Sequence, residues 1–394
     1  MRPPTRLRAA IASLAWVLGG VPGCTEPPPP PAPGEPLAGL SDGELGRFLL
    51  GKAVFERLAT AEEGLGPLFN APRCSACHEV PASGGSGDVL VRKATRFADG
   101  RCDLLVAEGG DNFQLRATEL LLAHGVGPET VPASATGEAL VTSPTLFGLG
   151  LVEAIPEEAL LALADPDDRD GDGVSGRSGT TADGRVGRFG RKAETRTIRD
   201  FVDGALRFEL GFTTPDHPVE ESVNGAPLPE GADPMPEPEI DARGVDLLTD
   251  YVRFLAPETR AVPGTRAARD SVERGEELFS ETGCAACHLP VLRTGPSDVA
   301  ALSHRDVPLY SDLLLHDLGS DLADLCGPGA TSSEHRTARL WGLRTRSRFL
   351  HDGRAASVED AIRLHGGEAE GSRLGFEALD AAERALLLRF LSTL

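Results

Sequence analysis

Two stretches of the chain share one pattern of polar and apolar positions. In Ser41–Arg57 (SDGELGRFLLGKAVFER) and Asp270–Gly283 (DSVERGEELFSETG) a capping-type Ser or Asp opens a run of apolar residues at helical spacing. Each run leads toward a cysteine pair. Further on, Ser143–Leu160 parallels Arg336–Ile362 through a Leu-aromatic-Gly-Leu core, and Val245–Pro257 parallels Ala382–Leu394 as amphipathic closing helices. The order of these parts is the same both times, which is the signature of an internal duplication. It predicts a first domain at 40–258, a linker at 259–269 and a second domain at 270–394. Insertions lengthen the first copy: a Gly-rich stretch at Ser83–Asp88, an Asp-rich loop at Asp165–Arg177 and a Pro-rich segment at Val223–Pro238. Little of the chain alternates with period two, so the pattern predicts a mostly α fold, two tandem domains with long loops.

The first 23 residues have a basic start, an apolar run from Ala9 to Val21 and small residues before Cys24, the layout of an export signal. VPGC resembles a bacterial lipoprotein box with Cys24 as the acylated residue, and the Pro-rich residues 24–39 suit a stiff tether. The expected location is the periplasm, with a lipid anchor or ordinary secretion as the two alternatives. A net charge of −21 argues against nucleic acid as a partner.

The cysteines carry the chemistry. RCSACHEV and GCAACHLP each contain two cysteines spaced by two residues and closed by a histidine. That spacing fits c-type haem attachment, in which two thiols add to the haem vinyl groups and the imidazole binds iron. Cys74, Cys77, Cys284 and Cys287 would then hold two covalent haems, with His78 and His288 as proximal ligands. A zinc ribbon fits poorly, given over two hundred residues between the pairs, and a thioredoxin-like dithiol would need a βαβ context. Cys102 and Cys326 remain, either as a bridge or as two buried thiols.

With these motifs, the runs GRFGRKAETRTIRDFVDGALRFELGFT, DGDGVSGR, LYSDLLLHDLGSDLAD and WGLRTRSRFLHDGRAASVEDAIRLHGGEAE resemble the bacterial di-haem oxidoreductase family. That family is related to di-haem cytochrome c peroxidases and to the haem enzyme that matures methylamine dehydrogenase. The resemblance implies two tandem cytochrome c-like domains, with one peroxidatic haem and one that receives electrons. It also implies hydrogen peroxide as substrate, a small redox protein as donor and a homodimer as a common assembly. Two methionines, Met1 and Met235, make a His/Met electron-entry haem improbable, and Leu318 stands where relatives often have Met.

The distal ligand of the second haem is therefore sought among His316, His351, His335 and Tyr310, the first two leading. The first haem is expected to be open, because His124 reads as a helix-end residue and His217 lies in a turn. Glu153, in the loop taken as parallel to FLHDG, is the expected catalytic acid–base group. Lys192 could cap iron or pair with a haem propionate, and Arg188 and Arg191 could serve propionates or face solvent. Asp168, Asp170 and Asp172 alternate ahead of Gly173 like the first half of an EF-hand, which makes calcium a candidate cofactor although Gly179 stands where the bidentate Glu belongs. The expected function is peroxide reduction at the first haem. A non-catalytic electron-transfer cytochrome and a peroxide-dependent oxidase of a thiol or protein side chain are the alternatives.

Overall fold

The computed structural model describes residues 30–394, so the expected export signal and Cys24 lie outside the described residues. Ten α-helices are present among them: α1 (Asp42–Glu56), α2 (Glu119–Ala123), α3 (Leu149–Glu153), α4 (Glu157–Leu163), α5 (Ile198–Ala205), α6 (Ala242–Phe254), α7 (Arg266–Glu281), α8 (Val358–Arg363), α9 (Glu370–Ala378) and α10 (Ala381–Leu391). None is long and apolar enough to cross a membrane.

The duplication is visible in packing. Helix α1 starts at a capping box, with Ser41 receiving the Glu44 amide while the Glu44 carboxylate takes the Ser41 amide. It crosses α6 through Gly51, where a Cβ would stand 2.0 Å from the Leu247 carbonyl and 2.8 Å from the Tyr251 Cβ. In the second copy α7 crosses α10 through Gly275, where a Cβ would stand 2.2 Å from the Leu386 carbonyl and 2.8 Å from the Phe390 Cβ. Only glycine allows either close approach. The expected start of α7 at Asp270 is corrected: Thr265 caps it, receiving the Ala268 amide, so the helix begins earlier.

The mostly α expectation is corrected as well, because the fold is mixed. The strand Gly87–Ala98 pairs antiparallel with Gly137–Ser143, Asn112–Phe113 and Arg101–Asp103, all within the first copy. Its sequence hides the strand because both faces are partly covered. Val91 packs with Val141 and Leu325 on one side, and Ala94 with Leu105 and Phe113 on the other, so no clean alternation appears. A Cys102–Cys326 disulfide ties this sheet to the second copy.

Two features cross the expected boundaries. The main core includes Leu292, Leu302, Val307, Leu309, Leu313 and Trp341 from the second copy beside first-copy residues. The last tether residues are docked rather than free: the Leu37 amide donates to the Phe254 carbonyl at 2.8 Å and Leu37 packs on the core. An apolar side chain at the end of the Pro-rich run has surface to bury.

Candidate haem-binding cavity

Both CxxCH motifs open onto one cavity of about 590 Å³. In each, the first cysteine opens a 3-10 turn, Cys74–Ala76 or Cys284–Ala286, the second, Cys77 or Cys287, caps it, and the histidine amide donates back to the first cysteine's carbonyl. The imidazoles are held alike. His78 Nδ1 lies 2.9 Å from the Gly85 carbonyl and His288 Nδ1 lies 2.9 Å from the Tyr310 carbonyl. A carbonyl only accepts, so Nδ1 carries the proton and Nε2 keeps its lone pair, the arrangement that orients a metal-binding imidazole. Phe55 and Phe279 flank the two rings at 6.3 and 6.4 Å.

Burial keeps these groups in the forms that binding needs. It pushes His288 down to about 4, with the bond to Tyr310 opposing, and lowers His78 too, so both stay neutral. Burial also pushes the Cys74 thiol up to about 12 and the Cys77 thiol up to about 11. All four motif cysteines are free thiols.

The cavity wall is rich in cations. Arg191, Arg336, Arg339 and Arg346 line it, and their polar contacts are with carbonyl and hydroxyl oxygens such as those of Thr142, Gly190, Thr145 and Trp341. None has an ion-pair partner among the described residues, and burial lowers the pKa of all four. Four lone guanidinium groups facing an enclosed space call for anions. Two haems bring four propionates, so thiols, imidazoles and arginines together fit two haem groups.

The repeat runs further than its sequence suggests. Phe189 bridges Thr195 and Phe349 bridges Ala355, then Thr197 caps α5 through the Asp200 amide and Ser357 caps α8 through the Asp360 amide. Gly190 and Leu350 share a left-handed backbone, as do Ala193 and Gly353. The loop equivalent to FLHDGRA is thus FGRKAET, with Arg191 in the place of His351. Each loop docks on the other copy: Thr142 N donates to the His351 carbonyl, and Arg336 N to the Arg191 carbonyl.

This register displaces Glu153. The helix α4 and the Asp-rich loop are inserted between the Leu-aromatic-Gly-Leu turn and the FGRKAET loop, so Glu153 ends α3 away from the cavity lining. One of its oxygens takes the Ile198 amide and the other pairs with Arg253, both at 2.8 Å. The catalytic assignment to Glu153 is corrected accordingly. Arg188 is corrected too, since it donates to the Glu153 and Ile155 carbonyls rather than facing the cavity.

The same register pairs Ala205 with His365, which the sequence reading missed. Both line the cavity. His365 Nδ1 lies 2.7 Å from the Ala361 carbonyl, repeating the pattern of the two proximal imidazoles, and a charge on it disfavours one on His288. One helical turn beyond Ala205 is Glu209, on a π-helical turn at Leu206–Leu210. Its carboxylate accepts from Asn70 Nδ2 at 2.9 Å and Asn112 Nδ2 at 2.8 Å, and burial raises its pKa.

The other sequence candidates are occupied. His316 is buried with Nε2 on Asp312 and Nδ1 on Glu368, each at 2.8 Å. His351 Nε2 contacts Asp324, and Tyr310 directs its hydroxyl to Glu276 at 2.7 Å. Lys192 Nζ donates to the Thr331, Ser332 and Glu334 carbonyls. His124 is an exposed C-cap and His217 pairs with Asp203. Asp168, Asp170 and Asp172 sit together in a surface loop, where their carboxylates receive the Gly173, Asp172 and Val174 amides as in Asx turns.

A family model described as "Di-haem oxidoreductase, putative peroxidase" matches residues 138–394. The chain belongs to this di-haem family, and membership implies two haems. No curated protein matches. Among solved structures, hydrazine synthase from Kuenenia stuttgartiensis is similar at 14% identity over 98% of this chain and 100% of that one, with a TM-score of 0.43. A MauG-like protein associated with microbial copper homeostasis is 14% identical over 94% of each chain, with a TM-score of 0.40. The diheme peroxidase BthA from Burkholderia thailandensis is 17% identical over 89% of this chain and 86% of that one, with a TM-score of 0.34.

Proposed function

We propose that the chain is a peroxidase-type oxidoreductase with two covalent haems, in which hydrogen peroxide reacts at the first haem and electrons enter through the second. The observation that carries this is the pair Ala205 and His365: one cavity, two copies of one CxxCH arrangement, and an imidazole at this position in only one of them. Cys74 and Cys77 would attach the first haem with His78 on its iron, and Cys284 and Cys287 the second with His288. Bound haem supplies the electron storage and the peroxide-binding iron. His365 Nε2 would close the second haem, and Ala205 leaves the first without a protein ligand from that position.

Glu209 takes the acid–base role in place of Glu153. Held by two amides, and with burial raising its pKa, its carboxyl can give a proton at the leaving oxygen and take one back. The buried arginines would bind the propionates, and a small redox protein would be the reductant. Export to the periplasm is supported by the amino-terminal pattern and by a disulfide that an oxidising compartment would preserve.

The test is turnover of the holoprotein with hydrogen peroxide and a reduced small electron carrier, followed by absorbance. Carrier oxidation that depends on peroxide and falls by on the order of a hundredfold in Glu209→Gln supports the reading. A chain that passes electrons but leaves peroxide untouched contradicts it and favours the electron-transfer cytochrome.

A further inference from the structure

A further group of side chains, all from the second copy, lines the same cavity beside the first-copy residues Arg191 and Lys192. Asp324 follows a 3-10 turn, His335 lies on the strand Glu334–Arg336, and His351 lies in the FLHDGRA loop, yet one donor atom from each falls within 4.8 Å of the others. The imidazoles of His335 and His351 stack with centroids 4.4 Å apart at 26°. His351 Nε2 contacts the Asp324 carboxylate, whose side chain is almost fully buried.

His335 is the informative member. It is only 7% exposed, and its Nε2 lies 2.9 Å from the Leu322 carbonyl. That carbonyl can only accept, so the proton is on Nε2 and Nδ1 holds a lone pair. Nδ1 is sealed from solvent and has no hydrogen-bond partner. Buried polar atoms are nearly always satisfied, so this one needs an explanation. The neighbours do not supply a proton. The nearby ammonium of Lys192 spends its three hydrogens on the Thr331, Ser332 and Glu334 carbonyls. The His351 ring lies against the face of His335, and N–H bonds in a stacked ring point along its own plane.

We propose that Asp324, His335 and His351 bind one divalent transition-metal ion, apart from both haem irons. Two imidazoles and a carboxylate suit zinc, copper or nickel rather than magnesium or calcium. A backbone carbonyl fixing the far nitrogen of His335 is the usual outer support of a metal-binding imidazole. Three protein donors leave one position of a tetrahedral ion open to a small ligand. All three donors belong to the second copy, and first-copy groups dock beside them, Thr142 N on the His351 carbonyl and Lys192 Nζ on the Glu334 carbonyl, so an ion there would fix the second-copy loops on which the first copy rests.

The test uses the holoprotein with both haems and zinc(II) as the probe. Equilibrium dialysis with metal analysis should find one zinc per chain beyond the two irons. His335→Ala should weaken binding by on the order of tenfold to a hundredfold, with the haem absorption spectrum unchanged. X-ray absorption at the zinc edge of the unsubstituted protein, which needs no variant to fold, should show two imidazoles. No stoichiometric zinc, equal binding by His335→Ala, or an edge spectrum without imidazole would each overturn the site. So would a change of haem spin state in His351→Ala, because that imidazole would then serve iron. The peroxidase reading fails separately, on turnover and on His365.

Discussion

Ala205 stands in the first copy of the repeat where His365 stands in the second. Both sit at the cavity wall one helix after equivalent loops, each helix opened by a hydroxyl cap, Thr197 or Ser357. A methyl group cannot bind iron and an imidazole can, so under the proposed reading the duplication would make two unlike haem sites from one design.

The two carboxylates Glu153 and Glu209 should separate cleanly. Glu153→Gln should leave peroxide turnover within about twofold, because Glu153 faces Arg253 and the start of α5, not the cavity. It should lower stability by about 1 kcal/mol, read by thermal melting. Glu209→Gln should lose turnover, and because its amide nitrogen would face the Asn70 or Asn112 donor it should also lower stability by about 1 kcal/mol.

Gly51→Ala and Gly275→Ala should cost stability in parallel. Each new methyl would meet a facing helix carbonyl at contact distances no Cβ tolerates, so each helix pair must open. Overpacking of this kind costs roughly 1–3 kcal/mol. Calorimetry should find similar losses for both, and a loss at one crossing only would break the equivalence of the copies.

Stability should fall as pH rises through neutrality. Glu220, Asp233, Glu237 and Glu239 cluster in the first copy's Pro-rich insertion, and burial followed by repulsion from neighbouring acids raises the pKa of Glu220 and Glu237. A carboxyl whose folded pKa lies above its unfolded value gives its full support below the unfolded value, near 4.5, and loses it as pH climbs through the folded one. Melting temperatures in chelator-treated buffer should therefore drop from pH 5 to pH 8. Glu220→Gln should flatten the curve.

The sequence was legible where a residue type alone dictates the chemistry. The two CxxCH motifs, the α1 and α7 helices and their closing partners could be read from spacing, whereas cysteine number left Cys102 and Cys326 as a bridge or two buried thiols and the structure pairs them. Glu153 was misplaced because α4 and the Asp-rich loop interrupt the repeat, leaving GLGLVEAIPEE as the nearest apparent match to FLHDG. The signal that corrects it was present in FGRKAET, whose phenylalanine, capping Thr197 and following Asp200 keep a constant offset from Phe349, Ser357 and Asp360. His365 was overlooked for the same reason, since its meaning comes from Ala205 across the repeat. The strand Gly87–Ala98 escaped because both its faces are covered.

The most direct test of the account is low-temperature electron paramagnetic resonance of the oxidised holoprotein beside its His365→Gly variant. One high-spin and one low-spin ferric signal are predicted, with the low-spin signal converted to high spin by the substitution while both haems remain attached. Two low-spin signals that ignore the substitution would contradict an open first haem and a second haem closed by His365.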